Sequence, residues 1–183
     1  MVTTANGCVF AKHKTAVPFA FTYDGGEVFP VGYQIRFYMQ FSAPEHSATP
    51  VFRCPLHKQL DPEPISLYVP KCTLPNIFYE NDRFSLRLPA TPMLPVSYEC
   101  FNSCAGGIDR RTTRMVFELL DQANNVVETA TIGIRISANP ARDAAPKRGA
   151  ATRSTIQVYD EEPTQSHSET QQIEENYGQK KLR

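Results

Sequence analysis

The chain has 183 residues, with nineteen Lys or Arg balanced by nineteen Asp or Glu, so its formal net charge is zero. A neutral chain does not coat nucleic acid as a polycation would, and any anion site in it is local. Five cysteines are an odd set, and residues 1–25 lack a charged start followed by an apolar run, so the cysteines read as reduced thiols or metal ligands; no apolar stretch approaches the roughly 20 residues that span a bilayer, and no membrane partner is expected.

In chain order, apolar residues alternate at Ile35, Phe37, Met39 and Phe41, then at Ile65, Leu67 and Val69, then at Phe84, Leu86 and Leu88. This period of two marks half-buried strands. Prolines at 30, 44, 50, 62, 64, 70, 75, 89, 92 and 95 argue against long helices before residue 96. The polar run over residues 121–125 predicts a hairpin loop, followed by a strand with Ile132, Ile134 and Ile136 on one face. Short strands separated by turn signals predict an all-β fold, an antiparallel β-sandwich. One helix start is legible: Asn139 suits an N-cap, Pro140 the first helical position, and Asp143 the positive end of the dipole, with Pro146 as the stop. Residues 1–145 are expected to form one domain and residues 146–183, poor in apolar residues, a disordered tail.

Two ligand pairs stand out. Cys54 and His57 have Cys-x-x-His spacing, Cys100 and Cys104 have Cys-x-x-x-Cys spacing, and 42 residues lie between the pairs. Together they make one imidazole and three thiolates, the set of a structural zinc site. The alternative is that Cys100 and Cys104 are ordinary buried thiols. Four protein ligands leave no open position for an activated water, which disfavours a zinc hydrolase. With no nucleophilic triad or carboxylate pair to single out, the chain is read as a non-enzyme. Cys8 and Cys72 have no partner at ligand spacing and are expected in the core.

Arg110, Arg111 and Arg114 follow the second cysteine pair, after Gly106 and Gly107, which permit a tight backbone path. Arg135 alternates with Ile134 and Ile136 and is expected on the face opposite the core. Arg142 falls in the first turn of the short helix. An arginine there can reach guanine O6 and N7 in a major groove; the alternative is that these arginines are solvated surface groups.

From Tyr98 to Asp143, through CFNSCAGGIDRR and IGIRISANPARD, the sequence resembles the DNA-binding domain of the p-fifty-three tumour-suppressor family. VFRCPLH at 51–57, GYQIRF at 32–37 and AKHKT at 11–15 extend the resemblance over residues 6–143. It implies an immunoglobulin-like sandwich with zinc-bound loops and a short C-terminal recognition helix, in a nuclear, sequence-specific transcription factor serving a stress or apoptosis programme. It implies one structural zinc ion on Cys54, His57, Cys100 and Cys104. Arg110 matches a minor-groove arginine, Ser103 and Arg135 match phosphate contacts, and Ala138 and Arg142 match base-region and guanine contacts. Arg53 and Arg111 match arginines that brace the loops. Duplex DNA is the implied partner, together with a homo-oligomer on DNA and related family members.

Departures from the family pattern set further expectations. Asn139 stands where the family typically has cysteine; its amide either bonds adenine or caps the helix. Ala144 and Ala145 replace basic residues, and the domain is expected to lack the family's first strand and its lysine-bearing loop, so DNA contacts should be fewer. The shorter stretch between Cys54 and Cys100 bears on a dimer contact near Leu56 and Lys58. A protein-interaction module or truncated regulator with weakened DNA binding is the alternative reading. Residues 154–159 and the Gln/Glu-rich run after them faintly resemble a tetramerisation element, with only Ile173 and Tyr177 as an apolar pair, and Lys147-Arg148 and Lys180-Lys181 are the nuclear-import candidates.

Overall fold

The alternating segments form strands that build two facing sheets. The computed structural model describes residues 2–5, 7–24, 26, 28–60, 65–70, 76–80 and 83–145. The expected tail, the stop at Pro146 and the reading of Cys72 lie outside these residues. The strands are β1 (Val2–Ala5), β2 (Cys8–Lys12), β3 (Val17–Ala20), β4 (Gln34–Phe41), β5 (Leu67–Tyr68), β6 (Asn76–Glu80), β7 (Arg83–Pro89), β8 (Met93–Tyr98), β9 (Thr113–Leu120) and β10 (Val126–Ser137). Helices α1 (Pro55–Leu60) and α2 (Pro140–Ala144) are both short, as the distribution of prolines predicts.

One sheet has seven strands in the order β1-β2-β10-β9-β4-β7-β6, and the other has three in the order β3-β8-β5. All pairings are antiparallel except β2 with β10, where Ile134 faces Val9 and Ile136 faces Ala11 in parallel register. The inner faces meet in a core of Phe37, Phe41, Met115, Phe117, Ile134 and Ile136 from the large sheet and Val17, Phe19, Leu67, Leu94, Val96 and Tyr98 from the small one. The ring of Phe19, from the small sheet, lies 4.8 Å from that of Phe117 on the large one and ties the layers together, with Phe37 6.1 Å from Phe117 in the same sheet. Burying each such side chain contributes about 1.5–3 kcal/mol. The protein is an all-β, immunoglobulin-like sandwich, as expected.

Two local expectations change, for the strand at residues 65–69 and for Cys8, and Tyr38 departs from the alternation of its strand. The predicted strand at Ile65, Leu67 and Val69 is reduced to β5, because Ile65 makes a single bridge to Phe52 instead of joining a ladder. Tyr38 belongs to the outer side of β4 yet is buried: its hydroxyl donates to Glu118 Oε1 (3.1 Å) and the Arg83 guanidinium lies 4.9 Å over its ring. Cys8 is half-buried, not a core residue. It lies on the outer face of β2, beside Gly133, where an added Cβ would stand 3.4 Å from its thiol sulfur.

The hairpin between β9 and β10 follows its sequence. Asp121 Oδ1 accepts from the N–H groups of Ala123 and Asn125 (2.8 Å each), its Oδ2 accepts from Asn125 Nδ2 (3.0 Å), and Asn124 takes a φ of 65°. At the other end of β10 the chain enters α2. There Asn139 Oδ1 accepts from the Arg142 N–H (3.2 Å), with Pro140 at the first helical position, so Asn139 caps the helix as its residue type predicts.

Candidate metal centre and arginine cleft

Pro55 and its neighbours start α1 directly after Cys54, and the Lys58 N–H bonds the Cys54 carbonyl (3.0 Å). One helical turn therefore brings His57 back over Cys54. Cys100 follows β8 at once, and its Sγ accepts from the Cys54 N–H (3.3 Å). Cys104 is folded toward both by a turn in which its N–H bonds the Phe101 carbonyl (3.1 Å). The four ligand atoms lie within 4.8 Å of one another. His57 Nδ1 stands 3.1, 3.5 and 3.8 Å from the sulfurs of Cys54, Cys100 and Cys104. Zinc–sulfur and zinc–nitrogen bonds of about 2.3 and 2.0–2.1 Å at tetrahedral angles require sulfur–nitrogen separations of about 3.5 Å. The group fits a metal ion of that kind.

The protonation preferences follow from burial and neighbouring donors. Burial lowers the His57 pKa, and the nearby His13 lowers it further, favouring the neutral imidazole a metal needs. Burial also acts to raise Cys54, but hydrogen bonds from the His57 N–H, from the Cys100 and Cys104 thiols and from the Leu56 N–H outweigh it, leaving that thiol below its ordinary value. Burial holds Cys100 above its ordinary value. Burial together with the neighbouring thiols pushes Cys104 up to about 12.

Glycines let the two loops meet. A Cβ on Gly107 would lie 3.0 Å from Cys54 Cβ and 3.2 Å from its backbone nitrogen. Gly106 adopts a φ of 69° beside Pro55. Ile108, next in line, is fully buried and anchors the loop. Both arginines expected to brace the loops are bonded to backbone carbonyls: Arg53, 3 % exposed, donates from Nε to the Ile65 carbonyl (3.0 Å). Arg111 donates to the carbonyls of Ile108 (3.1 Å) and Gly107 (2.8 Å) with its guanidinium 3.8 Å from the Phe41 ring centroid. Arg114, the third arginine of the run, parts from the other two: it lies on β9 and donates twice to Gln40 Oε1 (3.0 and 2.8 Å).

Beyond the loops an open cleft of about 470 Å³ is lined by Phe101, Asn102, Ser103, Arg110, Arg111, Thr112, Arg135, Ile136, Ser137, Ala138, Arg142 and Asp143. Five of the six candidate contact residues, Ser103, Arg110, Arg135, Ala138 and Arg142, thus share one cavity although they come from the second cysteine loop, β10, the link after it and α2. All five are exposed. Asn139 is exposed as well but spends its side-chain oxygen on the cap and is not part of the lining. Arg142 Nε lies 3.3 Å from Asp143 Oδ1, and Arg110 adopts a φ of 60°.

Two contributors escape a reading by spacing. His13 stacks on Phe101 (4.1 Å between centroids), lies 5.5 Å from the His57 ring and shares a hydrogen bond between its Nε2 and the Glu99 carbonyl (2.8 Å). It wedges the β2–β3 turn against the metal loops. Asn102 bonds both Ile136 and the arginine loop. Its position midway between two ligand cysteines is the only signal the sequence offers, and that signal does not specify what it bonds.

A family model described as the P53 DNA-binding domain matches residues 1–150. No curated protein matches the chain. Among the described residues no helix is long and apolar enough to cross a membrane.

Proposed function

The chain belongs to the P53 DNA-binding domain family, whose members are sequence-specific DNA-binding transcription factors and whose domain is non-enzymatic, and from that premise we propose how this chain reads duplex DNA. Arg135 and Ser103 set the register on phosphates, Arg142 reads a guanine from the major-groove side, and Arg110 enters the minor groove. Ala138 lies against the bases beside Arg142. The observation that carries this reading is the convergence of these five residues on one cleft.

Cys54, His57, Cys100 and Cys104 are proposed to hold one zinc ion, which when bound supplies four ligand bonds joining the α1 loop to the arginine loop. The residues themselves do the rest: Gly107 admits Cys54, Arg111 closes the loop on its own carbonyls, and Arg53 holds the α1 loop to Ile65. Asn139 acts through the helix, since its cap orients the turn that carries Arg142. Oligomerisation on DNA, alone or with related family members, belongs to the same proposal. It is supported by Leu56 and Leu60, one turn apart on α1 and 67 % and 77 % exposed, a face suited to a second copy. A nuclear role in a stress or apoptosis programme, and a domain ending near residue 145, are likewise proposed.

The test is selection from random duplexes by the purified chain, with and without a chelator. An enriched motif that disappears with the chelator supports the reading, and recovery of no motif from the metal-loaded chain defeats it.

A further inference from the structure

Asn102 is bonded on two sides. Its N–H donates to the Ile136 carbonyl (3.0 Å), and its Oδ1 accepts from the Ile136 N–H (2.7 Å). One residue thereby satisfies both backbone groups of Ile136, as a neighbouring strand would. On the other side its carbonyl accepts from the Arg110 N–H (2.5 Å) and its Nδ2 donates to the Arg111 carbonyl (3.3 Å). Ile136 is flanked in sequence by Arg135 and Ser137, which line the same cleft as Arg110 and as Asn102 itself.

The backbone of Arg110 needs such a partner. Its φ of 60° follows a φ of 54° at Asp109, two consecutive left-handed residues that carry side chains. Such conformations persist where surrounding bonds over-determine them. The Asp109 N–H is tied to the Cys104 carbonyl (3.0 Å), and the Arg110 N–H to Asn102.

We propose that Asn102 is a positioning residue for DNA reading: it locks the backbone of Arg110 to that of β10, so that Arg110 and Arg135 stand at one fixed separation before a duplex arrives. This rests on the reading of the cleft as the DNA surface. A guanidinium fixed in advance loses less freedom on binding than one on a loose loop, and the difference appears as affinity for the matching duplex. The amide is suited to the task because it offers an acceptor to Ile136 and a donor to Arg111 at once.

A double-mutant cycle in the full, zinc-loaded chain tests the proposal, with Asn102→Ala, Arg110→Ala and the pair assayed on the selected duplex and on a random duplex of equal length. Asn102→Ala is expected to weaken binding to the selected duplex about tenfold and to the random duplex less than about twofold. In the Arg110→Ala background it should add less than about twofold. Metal content should stay at the wild-type value. An equal loss in both backgrounds overturns the proposal. If Asn102→Ala fails to fold or to hold its metal, amide hydrogen exchange in the free wild-type chain decides. The N–H groups of Arg110 and Ile136 should then exchange roughly a hundredfold more slowly than that of Ser103, and Arg110 exchanging as fast as Ser103 overturns the proposal. A wild-type chain that prefers no duplex defeats the DNA reading itself, whereas a selective wild type with an additive cycle defeats only the role of Asn102.

Discussion

Gly107→Ala places one methyl group where the two metal loops meet. The new carbon would lie 3.0 Å from Cys54 Cβ, 3.2 Å from its nitrogen and 3.3 Å from its Cα, inside the ordinary carbon contact of about 3.5–4.0 Å. None of these atoms is the tip of a flexible chain. Cys54 is held by its N–H on Cys100 Sγ and by its carbonyl on the Lys58 N–H. Gly107 is held by its N–H on the Cys104 carbonyl and by Arg111 on its own carbonyl. Relief therefore requires the loops to separate by several tenths of an ångström, and that moves Cys54 away from the other ligands. Overpacking of this kind costs about 1–3 kcal/mol, or roughly 3–10 °C of melting temperature for a domain of this size. Zinc affinity, measured by competition with a chromogenic chelator, should fall about tenfold or more, since 1.4 kcal/mol is a factor of ten. Gly7→Ala is the control: its φ of 69° strains an alanine by about 1 kcal/mol, but nothing lies within 4 Å of the new carbon, so zinc affinity should not move. Wild-type zinc affinity in Gly107→Ala would refute the reasoning.

Arg142→Ala should cost about 1–3 kcal/mol on the selected duplex and little on random DNA; an equal loss on both removes its role in base reading. With the three cleft arginines, Arg110, Arg135 and Arg142, together displacing about three counterions, log affinity plotted against log salt should have a slope near −3, and a slope near zero would point to a protein-interaction module instead. Tyr98 is fully buried and its hydroxyl has no partner among the described residues, so Tyr98→Phe should raise stability by about 1 kcal/mol in a denaturant melt; destabilisation would show that the hydroxyl is bonded. Asp121 has its carboxyl pKa lowered by the Asn125 side chain and by the N–H groups of Asn125 and Ala123. The stability it contributes is present above the unfolded carboxyl pKa and is lost as pH falls through the lowered folded value. The melting gap between wild type and Asp121→Ala should close on acidification, and a gap that widens would reverse the sign.

The strands that carry the core were legible because their chemistry is local. Ile35, Phe37, Met39 and Phe41 face inward as their alternation predicts, and the Asp121 turn announces its hairpin by residue type. The cluster of Cys54, His57, Cys100 and Cys104, which could hold a metal ion, was legible because zinc chemistry constrains residue type and spacing together. The parallel pairing of β2 with β10 was not, since it joins residues about as far apart in sequence as the domain allows, and a period of two says nothing about which strand lies alongside. Burial of Tyr38 was hidden for a similar reason: it depends on Arg83 and Glu118 from two other strands. The convergence of Ser103, Arg110, Arg135, Ala138 and Arg142 on one cleft follows from the family resemblance and from the fold, not from spacing. Asn102 and His13 act through backbone carbonyls and ring faces, which no residue pattern encodes.

Zero net charge determines how this cleft can work. A strongly basic domain gains affinity from every nearby phosphate, whatever the sequence. Here the chain carries no net charge and salt screens exposed charges beyond a Debye length of about 8–10 Å, so the proposed reading draws its attraction from the local convergence of Arg110, Arg135 and Arg142. Even there Asp143 subtracts from it, with its carboxylate 3.3 Å from Arg142 Nε. That pair is worth little in stability, because the Arg142 side chain is 76 % exposed. Its effect is directional: the carboxylate takes Nε and leaves the two terminal nitrogens for a planar, two-bond partner such as guanine O6 and N7. The same carboxylate repels phosphates that offer Arg142 a random contact. Under the proposed reading, affinity for arbitrary DNA is low, and selectivity rests on whether the metal loops, the Asn102 bonds and the Asn139 cap hold three guanidinium groups at the spacing of one site.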